Sequence, residues 1–233
     1  LERILAASSN PGDVVLDPFC GCGTTVHAAQ KMGRNWIGID VTHLAISLIE
    51  TRLKDAFAGK ATFEVHGTPK DVQAARDFFD RDDRTKKEFE KWACGLVAAY
   101  PQGGGRKGAD GGIDGTFWFG PGKKLKAIVS VKGGKSVGVA MIRELDAVVT
   151  REKADLGVFL TLEPPTRNMV AEANGMGLLQ VEGFDPRPRI QIVTIEQALA
   201  RGPTSIDAPL RHGDTYKRAA PEEDRTAQGK LDL

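Results

Sequence analysis

The chain has 233 residues, of which 41% are hydrophobic and 27% are charged, and its formal net charge at pH 7 is +1. These values are typical of a folded globular protein with one large domain or two small ones. No apolar run reaches the roughly 18 to 20 residues of a membrane helix, and the first residues lack a secretory signal pattern, so we expect a cytoplasmic protein that is not bound to a membrane.

The first part of the chain has the pattern of a βαβα unit. Two short apolar runs, at 13–17 (DVVLD) and 36–40 (WIGID), each end in an aspartate. Between them, a turn with Gly21 and Gly23 leads into a helical stretch, and Thr42 is placed to cap the next helix. The right-handed crossover of such a unit brings both strand ends to one edge, where a nucleoside can lie against the glycine turn.

Residues 16–25 (LDPFCGCGTT) resemble motif I of the amino-group DNA methyltransferases, which methylate adenine N6 or cytosine N4 with S-adenosylmethionine. The turn is not a dinucleotide-binding fingerprint, because Val26 stands where that fingerprint has its third glycine. A glycine turn that only closes a strand-to-helix corner is the alternative interpretation. The resemblance implies that S-adenosylmethionine is bound by Asp17, Phe19, Gly21, Gly23, Thr24 and Asp40, with Asp40 at the ribose.

The catalytic loop of that family, Asp/Ser/Asn-Pro-Pro-Tyr/Phe, does not occur in this sequence. The Pro164-Pro165 pair has Glu163 before it and Thr166 after it. In one permuted class of these enzymes the cofactor motif follows the catalytic loop. The resemblance therefore implies that residues 1–58 are a partial methyltransferase segment, which we expect to hold S-adenosylmethionine without transferring a methyl group by itself.

The composition changes after this segment. We interpret residues 59–84 as a packed connector with one helix near residues 70–79, because no Gly/Ser linker occurs there. Residues 201–233 contain six basic and six acidic side chains and few large apolar groups, which predicts a polar tail. The stretch between them, residues 85–200, shows the regular alternation of a second domain.

This second domain is predicted to follow the order helix, strand, strand, helix, strand. An amphipathic helix with Glu90 at the edge of its apolar stripe is predicted by Phe89, Trp92, Ala93, Leu96, Val97 and Tyr100. A glycine-rich loop follows, and then a hairpin turns around the sequence GPG. The predicted hairpin strands are 117–119 and 125–132, the later helices are 139–152 and 166–173, and the later strands are 156–162 and 189–194.

This order of elements is similar to the core of the PD-(D/E)XK nuclease superfamily. The sequences FE at 89–90, GGID at 111–114 and SVK at 130–132 resemble its Mrr-type branch of restriction endonucleases. The resemblance implies a catalytic site formed by Glu90, Asp114, Lys132 and Ser130. It further implies that Mg²⁺ is bound by Asp114 and Glu90, with Asp110 in reserve.

The chemistry of phosphodiester hydrolysis agrees with these residue types. A hard divalent ion neutralises the developing charge, and Mg²⁺ prefers carboxylate and other oxygen ligands. Ser130 and Lys132 are two residues apart on one strand, so their side chains share a face, which we expect to be the one toward Asp114. Lys132 is then placed to orient or deprotonate the attacking water. Ser130 departs from the Glu, Asp or Gln usual in the superfamily, so Glu90 has to supply the second charge.

A basic stretch lies within the same domain. Residues 115–143 contain no carboxylate, and their six positive side chains are Lys123, Lys124, Lys126, Lys132, Lys135 and Arg143. Such a local field attracts phosphates. Simpler explanations also exist: the first three lysines fit a solvated hairpin tip, the aspartates of the glycine loop fit turn positions, and Glu90 fits a solvated helix surface.

We therefore expect a Mg²⁺-dependent DNA endonuclease domain attached to the S-adenosylmethionine-binding end of a DNA methyltransferase, as in a restriction-modification fusion. The expected fold class is α/β, with a partial Rossmann-like methyltransferase unit followed by a restriction-endonuclease-like αβ sandwich with a mixed sheet. Double-stranded DNA is the expected partner, and a homodimer is an open alternative to a monomer. Two other functions stay open: a nuclease-like domain that only binds DNA, which Ser130 favours, and a non-enzymatic adaptor.

Overall fold

A computed structural model describes most of the chain, namely residues 1–102, 111–209 and 221–222. For residues 83–85 it describes the backbone alone. The described residues divide into two compact units. Unit 1 consists of residues 1–66 with 221–222, and unit 2 consists of residues 67–102 with 111–209. No helix in these ranges combines the length and apolar character needed to cross a membrane.

Unit 1 has a two-stranded parallel sheet and three helices. Its elements are α1 (Glu2–Ser8), β1 (Val14–Asp17), α2 (Thr24–Lys31), β2 (Asn35–Gly38) and α3 (His43–Ala56). β1 runs parallel to β2, with Asp17 opposite Gly38 at the end of the pair. The predicted βαβα order is confirmed, and the Thr42 hydroxyl caps α3 by accepting from the Ala45 amide at 3.3 Å.

The two faces of the unit 1 sheet differ in exposure. Val15 and Trp36 pack against the buried Ala28 and Ala29 of α2. Successive side chains on a strand point to opposite faces, and the other face carries exposed apolar residues. Val14 is 63% exposed, Leu16 59% and Ile37 53%. Parallel sheets are normally covered on both faces, so this uncovered face is unusual for its type.

Unit 2 is built on a mixed sheet of five strands, in the order β3 (Tyr100–Pro101), β4 (Gly115–Phe119), β5 (Leu125–Lys132), β6 (Leu156–Thr161) and β9 (Ile190–Thr194). Strands β3 to β5 pair antiparallel, whereas β5, β6 and β9 pair parallel. A separate small hairpin is formed by β7 and β8. In chain order the elements are α4 (Val72–Asp80), α5 (Asp83–Leu96), β3 (Tyr100–Pro101), β4 (Gly115–Phe119), β5 (Leu125–Lys132), α6 (Val139–Arg151), β6 (Leu156–Thr161), α7 (Arg167–Gly175), β7 (Leu178–Leu179), β8 (Arg187–Pro188), β9 (Ile190–Thr194) and α8 (Ile195–Arg201).

The unit 2 sheet carries helices against both of its faces. On one face, Val129 and Val131 of β5 pack in a cluster with Phe89 of α5. On the other face, Ile128 packs in a second cluster with Ile142 of α6. The alternation along β5 thus divides its side chains between two cores. The α/β class and the mixed sheet agree with the sequence-based expectation.

Two stretches outside the predicted nuclease-like segment contribute to the core of unit 2. α4 corresponds to the helix expected in the connector, and its Ala75 and Phe78 are buried in the same cluster as α5. After α8, Ile206 is also buried in that cluster, and Gly120 donates a backbone hydrogen bond to Pro209 at 3.0 Å. Residues 202–209 therefore continue the folded structure, although their composition is polar.

Candidate functional site

Asp114 lies directly before β4 and is attached to β5 by two hydrogen bonds. Its backbone amide donates to the carbonyl oxygen of Val129 at 2.9 Å, and its Oδ2 accepts from the amide of Val131 at 2.7 Å. The register pairs Gly115 with Val129, so Asp114 lies opposite Ser130. The carboxylate is thereby fixed beside the strand that ends at Lys132.

A buried thiol connects Asp114 to helix α5. Cys94 is fully buried, and its Sγ donates to the carbonyl oxygen of Asp114 at 3.5 Å. Glu90 precedes Cys94 by one helical turn, so the two side chains lie on the same side of α5. Burial raises the pKa of the Cys94 thiol well above its usual value, and the charges of Asp114 and Glu90 raise it further. Cys94 thus donates to the backbone of Asp114, and the charges of both Asp114 and Glu90 act on its thiol.

Ser130 and Lys132 lie on the sheet face that α5 does not cover. They alternate with Val129 and Val131, whose side chains pack with α5, and they share the face of Ile128. Ser130 is buried, whereas Lys132, the last residue of β5, is partly exposed. Glu90 therefore belongs to a helix on one face, while Ser130 and Lys132 occupy the other.

The chain directly after Lys132 is held against helix α4. A Cβ built on Gly133 would lie 2.3 Å from Cδ2 of Phe79, so a side chain larger than hydrogen does not fit. A Cβ on the neighbouring Gly134 would meet nothing within 4 Å. Neither this contact nor the thiol of Cys94 follows from the sequence motifs, although the four-residue spacing from Glu90 to Cys94 is a signal that the sequence contains.

Two of the six basic side chains predicted to attract phosphate pair with carboxylates from outside their stretch. Lys126 lies 3.6 Å from Glu152, and Arg143 forms a two-bonded pair with Glu172 at 2.6 and 3.2 Å. The hydrogen bond and charge of Glu172 raise the pKa of Arg143. The hydrogen bond and charge of Arg143 lower the pKa of Glu172, although burial opposes this shift. The positive field of this stretch is therefore smaller than the sequence indicates.

The residue types at the predicted site match the preferences of a hard divalent ion. Two carboxylates, Asp114 and Glu90, and the hydroxyl of Ser130 are oxygen donors of the kind that Mg²⁺ prefers. Asp110, the third predicted ligand, lies outside the described residues. In the described part of the chain, no three histidine, cysteine, aspartate or glutamate side chains form a group that could hold a metal ion.

The second predicted site, in unit 1, is organised around Asp40 at the end of the parallel strands. Its Oδ2 accepts from the amide of Gly21 at 2.9 Å, and its Oδ1 accepts from the amide and hydroxyl of Thr42 at 2.9 and 2.8 Å. Burial raises the pKa of Asp40, but the hydrogen bonds from Thr42 and Gly21 outweigh burial, and the net pKa is lowered. The carboxylate thus ties the glycine turn to the start of α3.

The two glycines of this turn have different physical roles. Gly23 has φ +76° directly before α2, and a Cβ there would lie 2.5 Å from Cγ1 of Ile49. Gly21 has φ +50°, and a Cβ there would meet nothing within 4 Å. Both positions favour glycine by their backbone conformation. Gly23 also allows close packing, whereas Gly21 leaves open space beside Asp40.

The remaining predicted cofactor residues lie next to this turn. The amide of Phe19 donates to Oδ1 of Asp17 at 3.2 Å, and the Phe19 ring is almost fully exposed. Thr24 is the exposed first residue of α2, and its Oγ1 lies 3.6 Å from Sγ of Cys22. An exposed aromatic ring, an open glycine turn and a carboxylate at one sheet edge fit an adenosine group.

Comparisons with known proteins match the two units separately. Residues 1–51 match the family model described as DNA methylase, and residues 82–184 match the family model described as restriction endonuclease. These matches cover the glycine turn with Asp40, and the elements that carry Glu90, Asp114 and Lys132.

Three type II methyltransferases are similar to a short part of the chain. M.EcaI of Enterobacter cloacae is 52% identical over 52 residues, which are 22% of this chain and 12% of that protein. M.BamHI of Bacillus amyloliquefaciens is 49% identical over 55 residues, 24% of this chain and 12% of that protein. M1.MboII of Moraxella bovis is 61% identical over 41 residues, 18% of this chain and 16% of that protein.

The chain thus spans between 12% and 16% of the length of these three relatives. The similarity to them concerns the methyltransferase region, whereas the match to restriction endonucleases concerns the elements of unit 2. The chain carries a methyltransferase-like region at residues 1–51 and a restriction endonuclease domain at residues 82–184.

Proposed function

We propose that unit 2 is a Mg²⁺-dependent endonuclease of the PD-(D/E)XK type that hydrolyses phosphodiester bonds of double-stranded DNA. The observation that carries this proposal is the attachment of Asp114 to β5 at Val129 and Val131, beside the thiol that also lies one turn from Glu90. A carboxylate held at the backbone of a strand that ends in lysine, with a second acid on the adjoining helix, supplies the residue types that metal-assisted hydrolysis needs. A DNA substrate further implies a cytoplasmic location.

In this proposal Asp114 and Glu90 hold the metal ion, with Asp110 as a further ligand. A bound divalent ion would neutralise charge on the scissile phosphate. Asp114 is positioned for this role by the Val131 amide, which donates to one carboxylate oxygen at 2.7 Å and so restrains the orientation of the group. The hydroxyl of Ser130, directly across from Asp114, supplies an uncharged donor.

Lys132 orients or deprotonates the attacking water in this proposal. It is the last residue of β5, and its backbone carbonyl accepts from the amide of Leu162 at 3.1 Å, which fixes the strand end. The contact between Gly133 and Phe79 restrains the next residue. These restraints fix the Cα of Lys132, and with it the point from which its side chain extends.

For unit 1, which we interpret as part of a Rossmann-like unit, we propose binding of S-adenosylmethionine at the ends of β1 and β2. Asp40 accepts from the ribose, Phe19 and Gly21 line the adenosine and methionine pocket, and Asp17 and Gly23 hold the turn. The cofactor would supply the methyl group of a transfer reaction. The catalytic loop of the methyltransferases is not in this sequence, so we propose binding alone for this unit.

The test of cleavage is nicking of supercoiled plasmid by the full chain in Mg²⁺ and in EDTA. We expect nicking only in Mg²⁺, and its loss in Asp114→Asn, which keeps an oxygen for the Val131 amide but removes the charge. The matched control is Asp155→Asn, because Asp155 accepts from the Lys126 amide of the same strand at 2.8 Å. Equal nicking by Asp114→Asn and the control would overturn the assignment of Asp114.

A second function, DNA binding without cleavage, is favoured by the buried hydroxyl of Ser130 in place of a carboxylate. A hydroxyl is a weaker ligand for Mg²⁺ than a carboxylate. Under this alternative the full chain binds plasmid and slows its migration in a mobility-shift assay. The plasmid stays supercoiled in Mg²⁺ and in Mn²⁺. Nicking that depends on Asp114 would exclude it.

A further inference from the structure

Two exposed aromatic side chains share one face of the unit 2 sheet. Tyr100 of β3 pairs with Thr116 of β4, and Trp118 follows Thr116 by two residues, so all three side chains lie on the same face. Tyr100 is 53% exposed and Trp118 51%. We call this surface, formed by Tyr100, Thr116 and Trp118, the aromatic face.

The aromatic face is exposed although its neighbours on the sheet are covered. Phe117 and Phe119 alternate with Trp118 and are fully buried on the opposite face. On the same face as Trp118, Ile128 of β5 is buried under α6. Large aromatic side chains at the surface are the groups that most often mark binding sites, because their burial on binding is strongly favourable.

The spacing of the two rings suits bases that are not stacked on each other. Tyr100 and Trp118 occupy diagonal positions on paired strands, which are about 7 to 8 Å apart. Stacked bases in a duplex lie about 3.4 Å apart along each strand, so a regular duplex does not place successive bases on both rings. An extended single strand, whose bases have separated, can place one base on each ring.

Charge next to the aromatic face favours a polyanion. Lys123 and Lys124 lie exposed in the turn that follows β4, and residues 115–143 contain no carboxylate. Lys126, directly across from Trp118, lies 3.6 Å from Glu152, which offsets part of its charge. Lysines beside aromatic rings form the usual combination of phosphate attraction and base stacking in proteins that bind single strands.

The aromatic face is also close to the proposed cleavage site along the same strand. Trp118 follows Asp114 by four residues, which is about 13 Å at the rise of a β-strand. A strand bound across Trp118 and Tyr100 can therefore reach Asp114 within a few nucleotides.

We propose that the aromatic face binds unpaired nucleotides of DNA, with bases stacking on Tyr100 and Trp118 and phosphates near Lys123 and Lys124. This inference rests on the proposed function, since DNA is the substrate of the neighbouring acids. A second copy of the chain is disfavoured as occupant, because two side chains offer far less than the roughly 800 Å² per partner of a stable interface. The lysine turn of one copy would also repel that of the other.

The test measures binding of the full chain to a fluorescent single strand of twelve thymidines, and to a duplex of equal length, in EDTA. We expect tighter binding of the single strand, and a loss of about tenfold in affinity for Trp118→Ala and for Tyr100→Ala. Trp118→Phe keeps a stacking ring and retains most of the affinity. Leu178→Ala, which removes an exposed apolar side chain from β7, is the control.

Intrinsic fluorescence supplies a second measurement that does not depend on affinity alone. The chain has three tryptophans, and of these Trp92 is buried and Trp36 is half-buried. We expect the single strand to quench the emission of the native chain and not that of Trp118→Phe. Quenching that persists in Trp118→Phe would overturn the assignment of this residue.

The remaining outcomes separate this inference from the cleavage proposal. Equal affinity for single strand and duplex, or unchanged binding in Trp118→Ala, overturns the aromatic face as a binding site and leaves Asp114-dependent nicking unaffected. If nicking does not depend on Asp114 while Trp118-dependent binding of the single strand is observed, the cleavage proposal is overturned and the aromatic face stands as a binding site. A dimer that Trp118→Ala dissociates, with oligonucleotide binding unchanged, would assign the face to a second copy of the chain.

Discussion

The carboxylate of Asp114 accepts a hydrogen bond at 2.7 Å from the backbone amide of Val131. Asp155 makes the same kind of bond at the start of the same strand, where it accepts from the Lys126 amide at 2.8 Å. Both acids anchor β5, and the backbone carbonyl of Asp114 also accepts from the Cys94 thiol, which lies one turn from Glu90. Anchoring of the strand and negative charge at the proposed metal site can therefore be separated by experiment.

Glu90→Gln is expected to lower the rate of plasmid nicking by roughly 100-fold, because in the proposed site it removes one of the two charges that would hold the ion. The substitution keeps the size of the side chain, so the thermal midpoint should stay close to that of the native chain. Glu144→Gln, at an exposed position of α6, is the control. Nicking of Glu90→Gln at the native rate would remove Glu90 from the site.

Lys132→Gln is expected to lower kcat for nicking by roughly 100-fold, the usual size of a lost proton-transfer or water-orienting group. Affinity for DNA, measured in EDTA, should change little, because one of several basic side chains is lost. Lys135→Gln, three residues later at an exposed position, tests whether charge alone is responsible. Equal losses for the two variants would indicate a phosphate contact in place of a catalytic role.

Gly133→Ala is expected to lower the free energy of unfolding of unit 2 by about 1 to 3 kcal/mol, as is typical of an overpacked site. The new methyl group would lie 2.3 Å from Cδ2 of Phe79. Gly134→Ala has open space at the same point and should leave the urea midpoint unchanged. Phe79→Leu in the Gly133→Ala background should recover part of the loss, and no recovery would contradict this explanation.

The hydrophobic pattern of the sequence was sufficient to predict the long helices and strands of unit 2. The 3.6-residue period of Phe89, Trp92 and Ala93 predicts α5, and the apolar runs predict β5 and β6, because each of these elements buries a regular face. The two-residue strands β3, β7 and β8 are too short to show a period, so they were not predicted. The helical period wrongly included Tyr100 of β3, whereas α5 ends at Leu96. Ile206 was missed because one apolar residue in a polar stretch carries no pattern.

The candidate site was predictable in residue type and not in arrangement. Motif spacing predicts Glu90, Asp114 and Lys132 as site residues, but hydrogen bonds to the backbone, such as that from Val131 to Asp114, depend on strand register. Nothing in the motif indicates that Cys94 connects α5 to Asp114. The distribution of Glu90 and Lys132 between opposite faces likewise follows from helix packing, which local sequence does not encode.

Asp40 is expected to titrate below the ordinary aspartate pKa of roughly 3.9, because hydrogen bonds from Thr42 and Gly21 favour its charged form despite burial. A lowered pKa in the folded state means that Asp40 stabilises unit 1 above the unfolded pKa. This contribution is lost as the pH falls through the lower, folded pKa.

Two measurements check the titration of Asp40. The amide resonance of Gly21 should shift with pH at a midpoint below roughly 3.9 in the native chain and stay constant in Asp40→Asn. The native chain should melt above Asp40→Asn at pH 6, and the difference should shrink below about pH 4. A Gly21 midpoint at or above the ordinary value would contradict the role of these hydrogen bonds.

The uncovered face of the unit 1 sheet has a thermodynamic consequence for cofactor binding. Burying Val14, Leu16 and Ile37 would contribute about 1 to 2 kcal/mol for each side chain, so any polypeptide that covers them gains several kcal/mol. The same two strands end at Asp17 and beside the glycine turn. Any coupling between a covering segment and the proposed S-adenosylmethionine site would be reciprocal, because each would change the affinity of unit 1 for the other by the same factor.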